Sequence, residues 1–363
     1  MALTVGIVGL PNAGKSSLFN ALSRAGAVVA SYPFTTIGPY HGVAPVPDPR
    51  LAAVASVTHP DRTIPATVDF VDIAGLVRGA ARGEGLGNQF LAHIREVDAL
   101  AHVVRCFPAP DVPHVEGALD PVRDLEIVET ELALADLAVV ERELERARTR
   151  VKAHDLSAPG DVAVLEEVAA HLQRGIPVRR LPRDAHRDTL LLPLRLLTAK
   201  PVVYVANVDD ADLPAALSAT AVGGYADAQH APLVTLSAKL EAEAAELSEG
   251  EAAEFLRAYG IAEPGLLRLI RLAYEMLGLV TFFTAASKEV RAWPVARGTT
   301  APRAAGKIHT DMERGFIRAE VIGWEVLVKS GSLLTARDRG LVRLEGKDYV
   351  VQDGDVILFR FAV

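Results

Sequence analysis

The chain has 363 residues, half of them hydrophobic, with a single cysteine and a formal net charge of −8. That length predicts two or three domains with real cores. The charge argues against a uniformly basic nucleic-acid binder but leaves local basic patches open, and the lone Cys106 excludes an intrachain disulfide and a cysteine-rich zinc site.

Residues 3–8 form an apolar, β-rich run that reads as a buried strand, and residues 17–22 read as a helix. The N-terminus opens on that core strand with no room for a signal peptide, and no apolar run is long enough for a bilayer, so a cytosolic protein is expected. Between strand and helix stands Gly9-Leu10-Pro11-Asn12-Ala13-Gly14-Lys15-Ser16-Ser17, which fits G-x-x-x-x-G-K-[ST] at every fixed position. The glycines let successive backbone N–H groups turn inward around a phosphate. The helix N-terminus adds unpaired N–H groups and positive potential. Lys15 would reach the β- and γ-phosphates and Ser16 would hold Mg²⁺. A chance glycine turn is the opposing reading, and the strand–loop–helix context disfavours it.

Residues 27–47 read as a mobile loop whose adjacent Thr35 and Thr36 would supply a Mg²⁺-binding threonine in a nucleotide switch. Residues 67–73 read as a strand ending in the D-x-x-G of Asp72 and Gly75. An aspartate at a strand tip beside a P-loop can bind Mg²⁺, and Gly75 would bring its N–H to the γ-phosphate. The glycine-rich run 79–88 lacks the spacing of a dinucleotide fingerprint. A helix over 88–97 and a buried strand over 99–107 follow, which makes Cys106 a core residue rather than a reactive thiol.

From 124 to 152 the chain is highly charged, with leucines and valines at helical spacing and no proline or glycine. A helix of that length predicts a hairpin, turning at 157–160 and returning over 161–174. Arginines crowd both limbs, so either a solvated face or a contact with an anionic partner such as RNA is expected. Strands are expected over 201–206 and 232–236. Their ends would build a base pocket: Asn207 fixing the loops, Asp210 accepting from a base edge, and the Ala238 N–H of Ser237-Ala238-Lys239 donating to a base carbonyl. Residues 279–363 read as a separate α+β domain, with β runs at 280–283, 289–295, 316–321, 347–351 and 356–361 and a helix over 301–308.

Taken together, Gly-Leu-Pro-Asn-Ala-Gly-Lys-Ser, Tyr32-Pro-Phe-Thr-Thr-Ile, Asp72-Ile-Ala-Gly-Leu-Val-Arg-Gly-Ala and Gly83-Glu-Gly-Leu-Gly-Asn resemble the Obg-related P-loop NTPases. More narrowly they resemble the YchF, or Obg-like ATPase, subfamily. Arg105-Cys-Phe, His114-Val115 and Ile308-His-Thr-Asp-Met-Glu-Arg-Gly-Phe extend the likeness over essentially the whole chain. The resemblance implies an α/β fold in three parts: a P-loop G domain over 1–123 and 198–278, an inserted α-helical coiled coil over 124–197, and a C-terminal ubiquitin-like TGS domain over 279–363. It implies an ATPase associated with ribosomes or ribosomal RNA, with no membrane or DNA partner. Asn12, Ala13, Gly14, Lys15, Ser16 and Ser17 would wrap the phosphates. Ser16 and Thr36 would ligate Mg²⁺ with Asp72 nearby, Gly75 would sense the γ-phosphate, and Asn207, Asp210, Ser237, Ala238 and Lys239 would hold the base.

Leu76 stands where many related GTPases place a water-orienting glutamine, and a leucine cannot bond that water. In the family a loop histidine is the proposed substitute, and His114 matches it; an ordinary exposed loop histidine is the competing reading. Two departures matter. The subfamily's base motif ends in glutamate, whereas this chain has Asn207-Val-Asp-Asp210, with the acid type that guanine-specific enzymes use but without their lysine. Thr35 stands where a cysteine is frequent, which removes redox regulation through that thiol. Three readings follow: a slow Mg²⁺-dependent ATPase switch with GTP use left open, a ribosome or RNA adaptor in which nucleotide is structural, and a GTP-specific translation-associated enzyme. A small-molecule P-loop kinase would not need the Asn207 and Ser237 elements.

Overall fold

Strand β1 (Thr4–Val8) buries Val5, Ile7 and Val8 completely, and the rest of a parallel sheet is laid down around it. The computed structural model describes residues 4–26, 40–73, 78–82, 87–109, 111–182, 184–210, 213, 221–286 and 288–362. It divides into two compact units, residues 1–44 with 69–273 and residues 45–68 with 274–363.

In the first unit β1 is followed by helix α1 (Lys15–Gly26) and strand β2 (Tyr40–Pro45). Strand β4 (Thr67–Asp72), strand β5 (Ala99–Arg105), strand β6 (Val202–Asn207) and strand β7 (Leu233–Leu236) complete a sheet of order β2-β4-β1-β5-β6-β7 among the described residues. The pairs β1–β4, β1–β5, β5–β6 and β6–β7 are parallel. Every position of β5 and β6 is buried, as expected of central strands covered on both faces. Parallel order puts the carboxyl ends of β1, β4, β5 and β6 along one edge, where ligands bind in such sheets.

Helix α3 (Gly87–Glu96) precedes β5, and the helical insertion leaves the sheet after it. Helix α4 (Pro121–Lys152) starts at an Asp120 cap whose carboxylate accepts from the Arg123 N–H at 3.1 Å, with Pro121 in the first turn. Helix α5 (Ala158–Gln173) returns antiparallel, and a short helix α6 (Ala185–Leu191) follows. Val140, Leu144 and Ala147 of the outgoing limb pack with Leu165, Val168 and Leu172 of the return limb, a core of their own. The hairpin expected from leucine spacing is present, with α4 beginning three residues earlier than the spacing suggested.

Among the described residues, five of its ten arginines are answered by its own acids. Arg146 pairs with Glu143 at 3.1 Å, Arg148 with Glu166 at 3.0 Å, Arg150 with Asp161 at 2.7 Å and Arg187 with Glu167 at 2.5 Å. Arg179 is buried against Glu129 at 2.7 Å. Residues 124–197 carry eleven Lys and Arg against fourteen Asp and Glu, so the insertion is not basic overall.

The second unit is a mixed sheet of six strands among the described residues, with helix α2 (Pro49–Thr58) in the same unit. Strand β3 (Arg62–Ile64) pairs in parallel with strand β9 (Glu289–Ala296). Residues 45–68 therefore fold with the C-terminal stretch, a grouping that sequence order hides because the partner strand comes far downstream. Strand β8 (Leu279–Ala286) is antiparallel to β9 and parallel to strand β12 (Asp355–Phe361), which is antiparallel to strand β10 (Phe316–Gly323). Of the β run expected at 347–351, the first residues form a turn, with the Tyr349 N–H on the Gly346 carbonyl at 3.3 Å, and Val350 makes an isolated antiparallel bridge to Thr300. The strand preceding it is β11 (Arg343–Glu345).

Candidate functional site

The P-loop leaves β1 through Gly9 at φ 148° and enters α1 through Gly14 at φ 94°. A Cβ on Gly9 would lie 2.2 Å from the Val103 carbonyl oxygen, and one on Gly14 2.0 Å from Asn207 Nδ2. Only glycine fits at either end of the loop. Lys15, 7 % exposed, points its Nζ at the Leu10 carbonyl at 2.8 Å, across the inside of the loop. Burial lowers its pKa to about 8, partly opposed by Asp72. Ser17, the third residue of α1, is exposed, and Asn12 takes φ 63°.

Ser16 donates its hydroxyl to Asp72 Oδ2 at 3.2 Å. A helix N-terminal hydroxyl and a strand-end carboxylate are thus brought together from residues distant in sequence. Two hard oxygens at one point suit a small cation that keeps waters and shares phosphate ligands. Thr36, Gly75 and Leu76 lie outside the described residues.

The base-pocket residues also meet. Asn207, at the end of β6, donates from Nδ2 to the Ala13 carbonyl at 3.0 Å and accepts at Oδ1 from the Ala238 N–H at 2.9 Å. The Ala238 N–H, expected to reach a base carbonyl, is therefore spent on Asn207 in this structure. Ser237 donates to Asp210 Oδ1 at 2.6 Å and Lys239 to Asp210 Oδ2 at 2.7 Å. Burial works against ionisation of Asp210, but the Lys239 ammonium and Ser237 hydroxyl prevail and hold its pKa below the ordinary carboxylate value. Both carboxylate oxygens expected to read a base edge thus already carry one partner each.

His114 is not an exposed loop residue. Its side chain is 7 % exposed. Nε2 lies 2.7 Å from Asp124 Oδ2, and Nδ1 accepts from the Glu116 N–H at 3.1 Å. The histidine loop is tied to the P-loop by Asn12, whose Nδ2 donates to the Pro113 carbonyl at 3.1 Å.

Several residues outside the expected ligand set also shape this site. Arg105, buried at the end of β5, donates to the carbonyls of Phe107, Ala109 and Val112 at 3.0–3.1 Å and so fixes the start of the histidine loop. Glu131 of α4 accepts from the N–H groups of Gly79 and Ala81 at 2.8 and 2.9 Å, just beyond the D-x-x-G segment. Arg78 forks onto Glu116 at 3.1 Å through both carboxylate oxygens. Below the P-loop, Glu129 accepts from Arg179 and from the Tyr204 hydroxyl at 2.7 and 2.9 Å. His102 stacks obliquely on Tyr204, and burial pushes its pKa down to about 4. Burial raises the Cys106 thiol to about 12, as befits a packed residue rather than a nucleophile. Arg78 and Arg105 stand within runs that carry the family likeness, and for Glu129 and Glu131 the sequence signal was the run of acids on the first turns of α4.

What this sheet edge offers is a seat for a phosphate chain and its counter-cation, and the fold that builds it is that of a P-loop nucleoside triphosphatase. Residues 4–147 match a family described as a 50S ribosome-binding GTPase. Residues 279–362 match the YchF GTPase C-terminal family, described as a protein of unknown function. The chain is 50 % identical over 363 residues, the whole of both chains, to a protein of Haemophilus ducreyi named ribosome-binding ATPase YchF. It is 47 % identical over 366 residues to the protein of that name in Bacillus subtilis, again over the whole of both chains. It is also similar to the solved structure of the Schizosaccharomyces pombe YchF GTPase, at 34 % identity and a TM-score of 0.89, covering 99 % of this chain and 97 % of that one. The chain belongs to the YchF family.

Proposed function

We propose that the protein is a slow, Mg²⁺-dependent ATPase that works as a conformational switch on the ribosome. The observation that carries this reading is the Ser16–Asp72 oxygen pair set beside a glycine-bounded P-loop and the buried Lys15. Support for the substrate and partner comes from full-length relatives named ribosome-binding ATPase. Catalysis of this kind is positioning and charge neutralisation, with little covalent work for the protein. The N–H groups from Asn12 to Ser17 cradle the phosphates, and Lys15 leaves the Leu10 carbonyl to neutralise them. Mg²⁺, held by Ser16 and Thr36 with Asp72 nearby, supplies charge compensation on the phosphate oxygens when bound. Gly75 senses the γ-phosphate, and His114 orients the attacking water in place of the missing glutamine at Leu76. Asn207, Asp210, Ser237, Ala238 and Lys239 enclose the base.

In this reading residues 1–123 and 198–278, apart from 45–68, serve the nucleotide, 124–197 form an arm, and 279–363, joined by 45–68, are a TGS-type binding module. The arm and module meet the ribosome in the cytoplasm, without a membrane or DNA partner. Among the described residues no helix is long and apolar enough to cross a membrane.

The engagement of both His114 ring nitrogens favours a second reading, in which nucleotide orders the fold without productive turnover. Multiple-turnover phosphate release from ATP and from GTP, with and without ribosomes and Mg²⁺, separates the two. Turnover that needs Mg²⁺ and rises with ribosomes supports the switch; none under any condition leaves the adaptor.

A further inference from the structure

Helix α4 reaches the histidine loop with its first turn. Asp124 is the fourth residue of that helix, and its carboxylate is almost wholly buried against the His114 ring. The Glu116 N–H can only donate, so the Nδ1 it meets must be unprotonated. The neutral ring then carries its proton on Nε2 and donates it to Asp124 Oδ2 at 2.7 Å. The other oxygen of Asp124 is held by Arg123 at 3.1 Å. Both His114 nitrogens are therefore spent inside the protein. A residue that orients or deprotonates a water needs one of them within about 2.6–3.2 Å of that water. His114 must break a charge-assisted hydrogen bond before it can act.

We infer that Asp124 is a positioning residue that holds His114 in reserve, so that the root of the helical arm sets how often the histidine is free for hydrolysis. The inference rests on the reading of His114 as the residue that orients the attacking water. Glu131 supports it from the same helix. Two turns further along the same face, it grips the Gly79 and Ala81 N–H groups. A displacement of the first turns of α4 therefore acts on the histidine and on the segment beyond D-x-x-G together. A partner bound to the arm changes the rate by shifting the population of released His114, with no contact to the nucleotide.

The test uses the full-length protein with Mg²⁺ and ATP. Single-turnover hydrolysis and ATP affinity are measured for wild type, Asp124→Asn, Asp124→Ala, His114→Ala and the Asp124→Ala/His114→Ala pair. Asparagine keeps the shape and a neutral acceptor, so it covers the case in which alanine impairs folding. Release raises the competent fraction, so the rate should climb from wild type through asparagine to alanine, about three- to tenfold in all, with affinity unchanged. The paired variant should fall to the rate of His114→Ala alone. Nitrogen-15 and proton spectra of the histidines should show His114 as the Nε2–H form in both wild type and Asp124→Ala, because the Glu116 N–H still meets Nδ1, with the Nε2 proton slow to exchange with water in wild type and fast in Asp124→Ala. A slow His114→Ala beside unchanged or slower Asp124 variants overturns the inference alone. Wild-type hydrolysis by His114→Ala overturns the assignment of His114 and the inference with it.

Discussion

Asn207 and Ala13 stand 194 residues apart in the chain and are joined by one side-chain amide, Nδ2 to carbonyl oxygen at 3.0 Å. The same amide takes the Ala238 N–H at 2.9 Å. P-loop and base loop are thus registered against each other by a single buried residue. Asn207→Ala leaves two buried backbone groups unpaired, at about 1–3 kcal/mol each. We expect a lower melting temperature without nucleotide and at least a tenfold weaker ATP complex, that is about 1.4 kcal/mol. Calorimetry on the two proteins checks it; superimposable melting curves would show that the registration carries no stability.

Lys15→Ala should largely abolish nucleotide binding or hydrolysis. Lys15 is the buried ammonium inside the loop, and its present partner is a neutral carbonyl. Phosphate is a better partner than that carbonyl, and each tenfold loss corresponds to about 1.4 kcal/mol. Fluorescent-nucleotide titration on a folded variant is decisive, and near wild-type affinity and turnover would refute the P-loop assignment.

His114→Ala should slow hydrolysis and leave ATP affinity as it is. A group that acts only in the transition state lowers kcat without altering ground-state binding. Equal single-turnover rates for the two proteins would return His114 to a structural role in the loop that Arg105 anchors.

ATP should bind at least as well as GTP. Asp210 has the acid type that reads guanine, but Ser237 and Lys239 already take one lone pair on each oxygen. Adenine lacks the two donors that would reward that carboxylate, so discrimination should be weaker than in a relative ending N-x-x-E. Asp210→Glu should move the preference towards ATP in competition titrations. A hundredfold wild-type preference for GTP, about 2.7 kcal/mol, would reverse the assignment.

Stability should fall on acidification through His102. Its folded pKa is depressed to about 4 by burial, from an ordinary 6.5. Between those values the unfolded chain binds the extra proton and the folded one does not. The contribution is complete above 6.5 and is lost as pH falls towards 4, at up to about 1.4 kcal/mol per pH unit. Denaturant melts at pH 7 and pH 5 should show a larger drop for wild type than for His102→Gln. Parallel losses would place the acid sensitivity elsewhere.

The parts legible in the sequence are those written locally. Gly9 and Gly14 sit at fixed spacing because the loop geometry admits no other residue, and leucine spacing alone marks α4 and its return. Asp72, Asn207 and Ser237 are found because each follows an apolar run and stands at a strand end. What escapes is decided by contact across the fold. Arg179 and Arg180 are neighbours of one type, yet Arg179 is locked on Glu129 while Arg180 is exposed. Asp124 looks like one more charge on a solvated helix until the histidine loop is folded against it. The Ala238 N–H could not be seen to have a taker, because Asn207 reaches it only when β6 and β7 pair. Residues 45–68 join a sheet whose other strands had not yet appeared in the chain.

The ion pairs that brace the arm bear on how it would meet a polyanion. Arg148 and Arg150 already hold Glu166 and Asp161 across the two limbs, and Arg187 of α6 holds Glu167 of the return limb. A phosphate approaching these guanidinium groups displaces a carboxylate instead of filling an empty position. Each such contact is an exchange of partners, and the freed acid is left facing the new anion. Fewer counterions leave than the arginine count suggests, so the logarithm of affinity should change only gently with the logarithm of salt, below the slope of about 0.7–0.9 per phosphate that free basic side chains give. The arm would then recognise a surface by the fit of its rigid, cross-braced limbs, with attraction at a distance contributing little.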